Sequence, residues 1–143
     1  MFEGIGVIAI VASLILVAME LRQNTNVAQA NALFQLSAAL DDSYRRRAQD
    51  PELAQLIKDG HDDIDSLTEL EREQFASWLR ADINHLEAIW TYYDLGLMSD
   101  DNFGGFAASI CSRVSTKGGR RYWKNEAQYF NSGLGDYVKN TCH

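Results

Sequence analysis

From Gly4 to Met19 the sequence runs without a single charge, "GIGVIAIVASLILVAM", and Glu20 and Arg22 follow at once. No other stretch constrains the chain as much, because an apolar run of this kind must be covered by lipid, by protein or by a second copy. A spanning helix needs about 20 apolar residues to cross roughly 30 Å of hydrocarbon at about 1.5 Å per residue. The run falls short by about one turn. Phe2 and Leu21 make up the difference if Glu3 and Glu20 sit at the headgroups, and local thinning of the bilayer absorbs the remaining mismatch. A secretory signal peptide would need a basic leading segment and small residues before a cleavage point, and neither is present. The expectation is an uncleaved anchor over residues 1–22 that meets the lipid bilayer through residues 4–21. The competing reading is a core helix of a soluble oligomer, since Gly4, Gly6, Ala9, Ala12 and Ser13 suit close helix packing. Ala9 and Ser13 also form one small-xxx-small pair through which two anchors would approach. Arg22 is the only Lys or Arg close to the run, and that bias places the following domain in the cytoplasm.

Residues 23–143 read as helices. One proline, Pro51, in a chain rich in Ala, Leu, Gln, Glu and Arg leaves no β-hairpin signal. Val27 to Tyr44 contains neither Gly nor Pro, so the opening helix is expected to run on to about Arg47. Asp50 caps a helix with Pro51 at its first position, where the missing N–H costs nothing, and Gly60 is expected to end it. Ser66 with Glu69 three residues on reads as a capping box for the next helix, and Gly96 as its terminator. Further starts are expected at Ser99, at Ser115 or Thr116, and at Ser132. Phe75, Leu79, Ile83, Leu86, Trp90, Tyr93 and Leu97 recur at steps of four or three and define a core stripe. Phe103, Phe106, Ile110 and Val114 repeat it, as do Tyr122, Trp123, Ala127 and Phe130. The fold class is all-α, a long N-terminal membrane-spanning helix continuing into a small bundle of about five to six helices.

Chemistry is harder to find. The formal charge of -7 would repel a phosphate backbone, which excludes nucleic acid as a first partner. Cys111 and Cys142 lack both the density of a disulfide framework and paired metal-ligand spacing; they read as thiols, with a single disulfide left open. The acidic "DGHDDID" of residues 59–65 fails the calcium-loop register, for Ile64 stands where Gly is required and Leu70 where the bidentate Glu belongs. It reads as a solvated acidic loop holding His61. Asp82 and His85 share a helix face, yet the further Glu-x-x-His motifs of dinuclear iron bundles are missing, so His85 is expected to hydrogen-bond Asp82 or a neighbouring helix. No metal and no cofactor is implied, and no catalytic motif supports an enzyme.

The most suggestive polar stretch is "TKGGRRYWK". Lys117, Gly118, Gly119, Arg120, Arg121 and Lys124 combine a helix N-terminus with four cations, a setting that binds anions. The competing reading is close helix packing at the glycines and ordinary pairing of the cations with carboxylates. Arg45, Arg46 and Arg47 would suit a negative surface, but about 25 helical residues separate them from Arg22, roughly 35 Å along a helix.

"ELRQNT" after an apolar run, "QDPELAQL", "SLTELEREQFASWLRADINHLE" and "GGRRYWKNEAQYF" resemble segments of a family of small uncharacterised bacterial proteins with one N-terminal transmembrane helix and a helical domain. The resemblance implies a single-pass protein of the bacterial inner membrane and supplies no activity or catalytic residue. Two functions fit these readings. One is a non-enzymatic membrane-anchored interaction module, an accessory subunit of a membrane assembly that binds a protein partner or a second copy. The other is a small ligand- or anion-sensing domain with its site near Arg120 and Arg121.

Overall fold

A computed structural model describes residues 2–142, with side chains from Gly6 onward; all six α-helices and two short 3₁₀ turns lie in this range, and no strand occurs among the described residues. The helices are α1 (Phe2–Gln49), α2 (Pro51–Asp62), α3 (Glu69–Asp94), α4 (Asp100–Val114), α5 (Lys117–Glu126) and α6 (Ser132–Thr141). The 3₁₀ turns are Ile64–Ser66 and Ala127–Tyr129. The chain divides into two compact units, residues 1–35 and residues 36–143.

The first unit is helix alone. Every residue from Gly6 to Ala28 is exposed, Ile8 to 71% and Leu14 to 64%. Its most apolar 18-residue window has a mean hydropathy of 1.8, so α1 is long and apolar enough to cross a membrane. The helix runs unbroken past Arg47, as the absence of Gly and Pro beyond Gly6 predicts.

The second unit is a bundle whose core is the expected stripe. Phe75, Leu79, Ile83, Leu86 and Trp90 on α3 are buried together with Phe103, Ile110 and Val114 of α4, Tyr122 of α5 and Leu134 and Val138 of α6. Phe75, Leu79 and Leu86 have essentially no exposure, and each such side chain contributes about 1.5–3 kcal/mol through burial. Tyr93 stacks on Phe103 with ring centroids 4.0 Å apart, and Phe103 meets Tyr137 edge-on at 5.6 Å, which ties α3, α4 and α6 together at one end. Leu97 lies beyond the helix and is half exposed, so the stripe ends at Tyr93.

Several helix boundaries fall where the caps predict. Asp50 accepts from Leu53 N with Pro51 at the first position, Ser99 accepts from Asn102 N, and Thr116 accepts from Gly119 N. Gly96 adopts φ +69 and closes α3 with two reversed bonds, Gly96 N to the Tyr93 carbonyl and Leu97 N to the Tyr92 carbonyl. Three expectations are corrected. Gly60 does not end α2, which continues to Asp62 because Gly60 is a packing surface inside it. The capping box of α3 is Thr68 with Glu71 rather than Ser66 with Glu69, since Ile64–Ser66 forms a separate 3₁₀ turn. Asn131 rather than Ser132 caps α6, accepting from Gly133 N at 2.8 Å.

Candidate functional site

The polar centre of the bundle is an ion pair that the sequence does not announce. Asp82 on α3 is 4% exposed, and its carboxylate accepts from Arg113 Nε on α4. Arg113 also donates to Tyr44 Oη on α1 at 3.4 Å, and its guanidinium lies over the rings of Tyr44 and Trp78, 6.0 Å from each centroid. Burial alone would lower the pKa of Arg113; the facing Asp82 carboxylate, aided by Tyr44, more than reverses this and raises it. Removing either charge would leave the other buried without compensation.

Beside this pair lies His61, placed in the last turn of α2 and not in a loop. Its ring sits edge-on to Phe75 and Trp78, with centroids 5.2 and 5.7 Å away, and its Nδ1 is 2.9 Å from Thr116 Oγ1. Burial, with the charges of Arg113 and Arg47 added, lowers its pKa to about 4, so the imidazole is neutral at physiological pH. Thr116 Oγ1 accepts from Gly119 N as the cap of α5, and its own proton is then available to His61 Nδ1. A neutral, capped and aromatic-packed imidazole of this kind fixes the seating of α5 on α2. The acidic stretch is correspondingly not one solvated loop: Asp59 and Asp62 belong to α2, Ile64 is buried, and Asp63 caps the 3₁₀ turn that follows.

His85 does not hydrogen-bond Asp82, whose carboxylate faces Arg113. Its Nδ1 is buried with no partner among the described residues, beside a cavity of about 240 Å³ that Asp42, Ser43, Trp78 and Asp82 also line. No group of three or more potential metal ligands occurs among the described residues.

The residues of the expected anion site sit together on the first turns of α5 but in different surroundings. Gly118 and Gly119 are buried: a Cβ on Gly118 would overlap the Gly60 carbonyl oxygen, and one on Gly119 would overlap the Arg113 carbonyl oxygen. Their purpose is backbone-to-backbone approach of α5 to α2 and to the end of α4. Lys117 pairs with Asp63, whose carboxyl is held below the usual carboxylate range mainly by the hydrogen bond from Lys117. Arg121 pairs with Asp65 at 3.1 Å, Arg120 donates to the Ser115 carbonyl, and Lys124 is exposed. Arg45 and Arg46 pair with Asp41 and Asp42 one turn back along α1.

Cys111 of α4 and Cys142 at the end of α6 form a disulfide, with Cα atoms 4.9 Å apart. Their reading as free thiols is thereby corrected. In the first unit, Ser13 Oγ donates to the Ala9 carbonyl at 2.9 Å and Thr25 Oγ1 to the Leu21 carbonyl at 2.9 Å, so these hydroxyls are satisfied within α1.

The elements define an all-α bundle with an apolar N-terminal helix, and comparison with known proteins adds no relative: no family model, no curated protein and no solved structure matches the chain.

Proposed function

We propose that this chain is a single-pass, non-enzymatic membrane-anchored interaction module of the bacterial inner membrane, an accessory subunit of a membrane assembly. The observation that carries the proposal is the uniform exposure of Gly6 to Met19 in the uncharged apolar run. A soluble helix buries one stripe and exposes the other; this one presents apolar side chains on all sides, which is the pattern lipid requires. Its one hydroxyl within the uncharged run, on Ser13, bonds back to its own helix and so enters hydrocarbon without an unsatisfied donor. Residues 4–21 rise about 27 Å as a helix, within reach of a hydrocarbon core of roughly 30 Å.

The side of the membrane turns on two opposing features. Arg22 favours a cytoplasmic domain, but one basic residue is a small bias. The Cys111–Cys142 bond favours an oxidising compartment, because thiols in the bacterial cytoplasm are kept reduced. We weigh the covalent bond more heavily and place the bundle outside the cytoplasm, with the N-terminal side of the anchor inside.

Fractionation tests the anchor. Full-length protein is expected in the membrane pellet after a carbonate wash, and a chain beginning at Asn24 in the supernatant. Full-length protein that stays soluble without detergent would remove the anchor. Formaldehyde cross-linking in intact cells then tests the interaction role: adducts of discrete mass are expected on denaturing purification, and none at all would leave the protein without a partner.

A further inference from the structure

Between α3 and α5, closed at one end by the Ile64–Ser66 turn, lies a cavity of about 420 Å³. Three arginines line it, Arg72 and Arg80 from one face of α3 and Arg121 from α5. Two carboxylates stand opposite them, Asp65 paired with Arg121 at 3.1 Å and Glu126 paired with Arg80 at 3.0 Å. Arg72 has no carboxylate partner among the described residues; its one side-chain hydrogen bond among them runs from Nη2 to the Leu67 carbonyl at 3.1 Å. The lining therefore carries a surplus of one positive charge in a protein whose net charge is -7.

The cavity also holds an unexplained group. Tyr122 lines it and is 6% exposed; its Oη is buried and makes no hydrogen bond of ordinary geometry among the described residues, with the Arg80 guanidinium near enough to offset part of what burial does to its pKa. A buried hydroxyl left unpaired costs about 1–3 kcal/mol, so a phenylalanine would be the better residue here if packing were its only duty. The remaining wall is mixed, with Ile64, Ala76 and the ring of Tyr122 on its apolar side and Ser77 and Asn125 as uncharged polar groups. Arg80 is held in place from outside by the rings of Tyr129 and Phe130, each centroid 5.6 Å from its guanidinium carbon.

We propose that this cavity binds a small organic monocarboxylate. Its carboxylate would accept from the uncommitted donors of Arg72 and from the Tyr122 hydroxyl, and its apolar body would lie on Ile64 and Ala76. Single charge follows from the surplus of one, since a phosphate or a dicarboxylate would meet Asp65 and Glu126 with a second charge unbalanced. The cavity volume suits a molecule of this size. The proposal stands apart from the membrane anchor and survives or fails independently of it.

The test is thermal unfolding of the full-length protein in nanodiscs, followed by the fluorescence of its three tryptophans, with benzoate, phenylacetate and isovalerate as probes. Benzamide serves as the uncharged control and inorganic phosphate as the small-anion control. At about ten times its Kd a site-bound probe raises Tm by about 5 °C. At least one monocarboxylate is expected to do so while benzamide and phosphate do not. Tyr122→Phe, which removes only an unpaired hydroxyl, is expected to keep or raise the Tm of the free protein and to weaken the probe about 3- to 10-fold. Arg72→Gln is expected to abolish the shift with helix content unchanged. The proposal is overturned if no monocarboxylate raises Tm, if benzamide or phosphate does so equally, or if the shift persists undiminished in both variants.

Discussion

At Gly118 the backbone of α5 lies against the carbonyl of Gly60 in α2, so that two helices touch without side chains between them. A methyl group at this point has only backbone to displace, and neither helix can yield without unseating His61 from Thr116. Gly118→Ala is therefore expected to destabilise the bundle by about 3 kcal/mol, at the upper end of overpacking costs, measured by urea unfolding. His61 makes a second residue-scale expectation. Its folded pKa, about 4, lies below the unfolded value of 6.5, so in that interval the unfolded chain binds more protons. The contribution of His61 to stability is present above pH 6.5 and is lost as pH falls toward 4. Thermal unfolding should show lower stability at about pH 5 than at about pH 7.5, and His61→Gln should flatten that difference. Asp63 and Glu71, whose carboxyls are held below their usual range by hydrogen bonds from Lys117 and Thr68, lose their contributions as pH falls below their unfolded values of 3.8 and 4.5, at the acid end of that interval and beyond it. Close packing at Gly118 was one of two readings the sequence left open, and the role of His61 was not legible at all. A glycine pair and a histidine carry no periodicity, and their roles exist only once α5 has crossed α2.

At the scale of the element, the sequence "SLTELE" offers two registers for one signal. Ser66 with Glu69 and Thr68 with Glu71 both match a capping box. Burial of Ile64 and Leu67 decides between them: the 3₁₀ turn Ile64–Ser66 places both in the core, and α3 then starts two residues later than the first register allows. Thr68 and Glu71 exchange bonds in both directions, with Thr68 N donating to Glu71 Oε2 at 2.9 Å. Thr68→Ala is expected to cost about 1 kcal/mol in urea unfolding, and Ser66→Ala about half of that or less. The end of the same helix was legible, because only glycine takes the φ of +69 at position 96 without strain. Gly60 shows why a glycine alone does not make a terminator. It lies beneath the Phe75 ring, where a Cβ would overlap the ring, and it is placed there by packing between helices. The apolar stripes were legible for the opposite reason, since a period near 3.6 is a property of one helix before it meets another.

For the molecule as a whole, the bond between Cys111 and Cys142 links α4 to the C-terminal cap of α6, across a sequence separation of 31. The pairing was not legible because it depends on α4 and α6 meeting, and the two cysteines have no framework of others to point to it. In the chain-entropy account a loop of this length restricts the unfolded state enough to stabilise the fold by about 3–4 kcal/mol. The double variant Cys111→Ser, Cys142→Ser should lose about that much, and the wild type under dithiothreitol should approach the same unfolding midpoint. If reduction leaves the midpoint where it is, the bond is not formed in the folded protein. The same chemistry reads the orientation of the anchor. With the bundle outside the cytoplasm, whole cells treated with a thiol-alkylating reagent before lysis should yield protein that takes up no label until it is reduced. Protease added outside the inner membrane should then remove the bundle and leave the membrane-embedded segment protected. A bundle that is labelled without reduction and shielded from the protease would lie in the cytoplasm instead. In that case Arg22 would have outweighed the two cysteines, and the anchor would present the same helix from the other side.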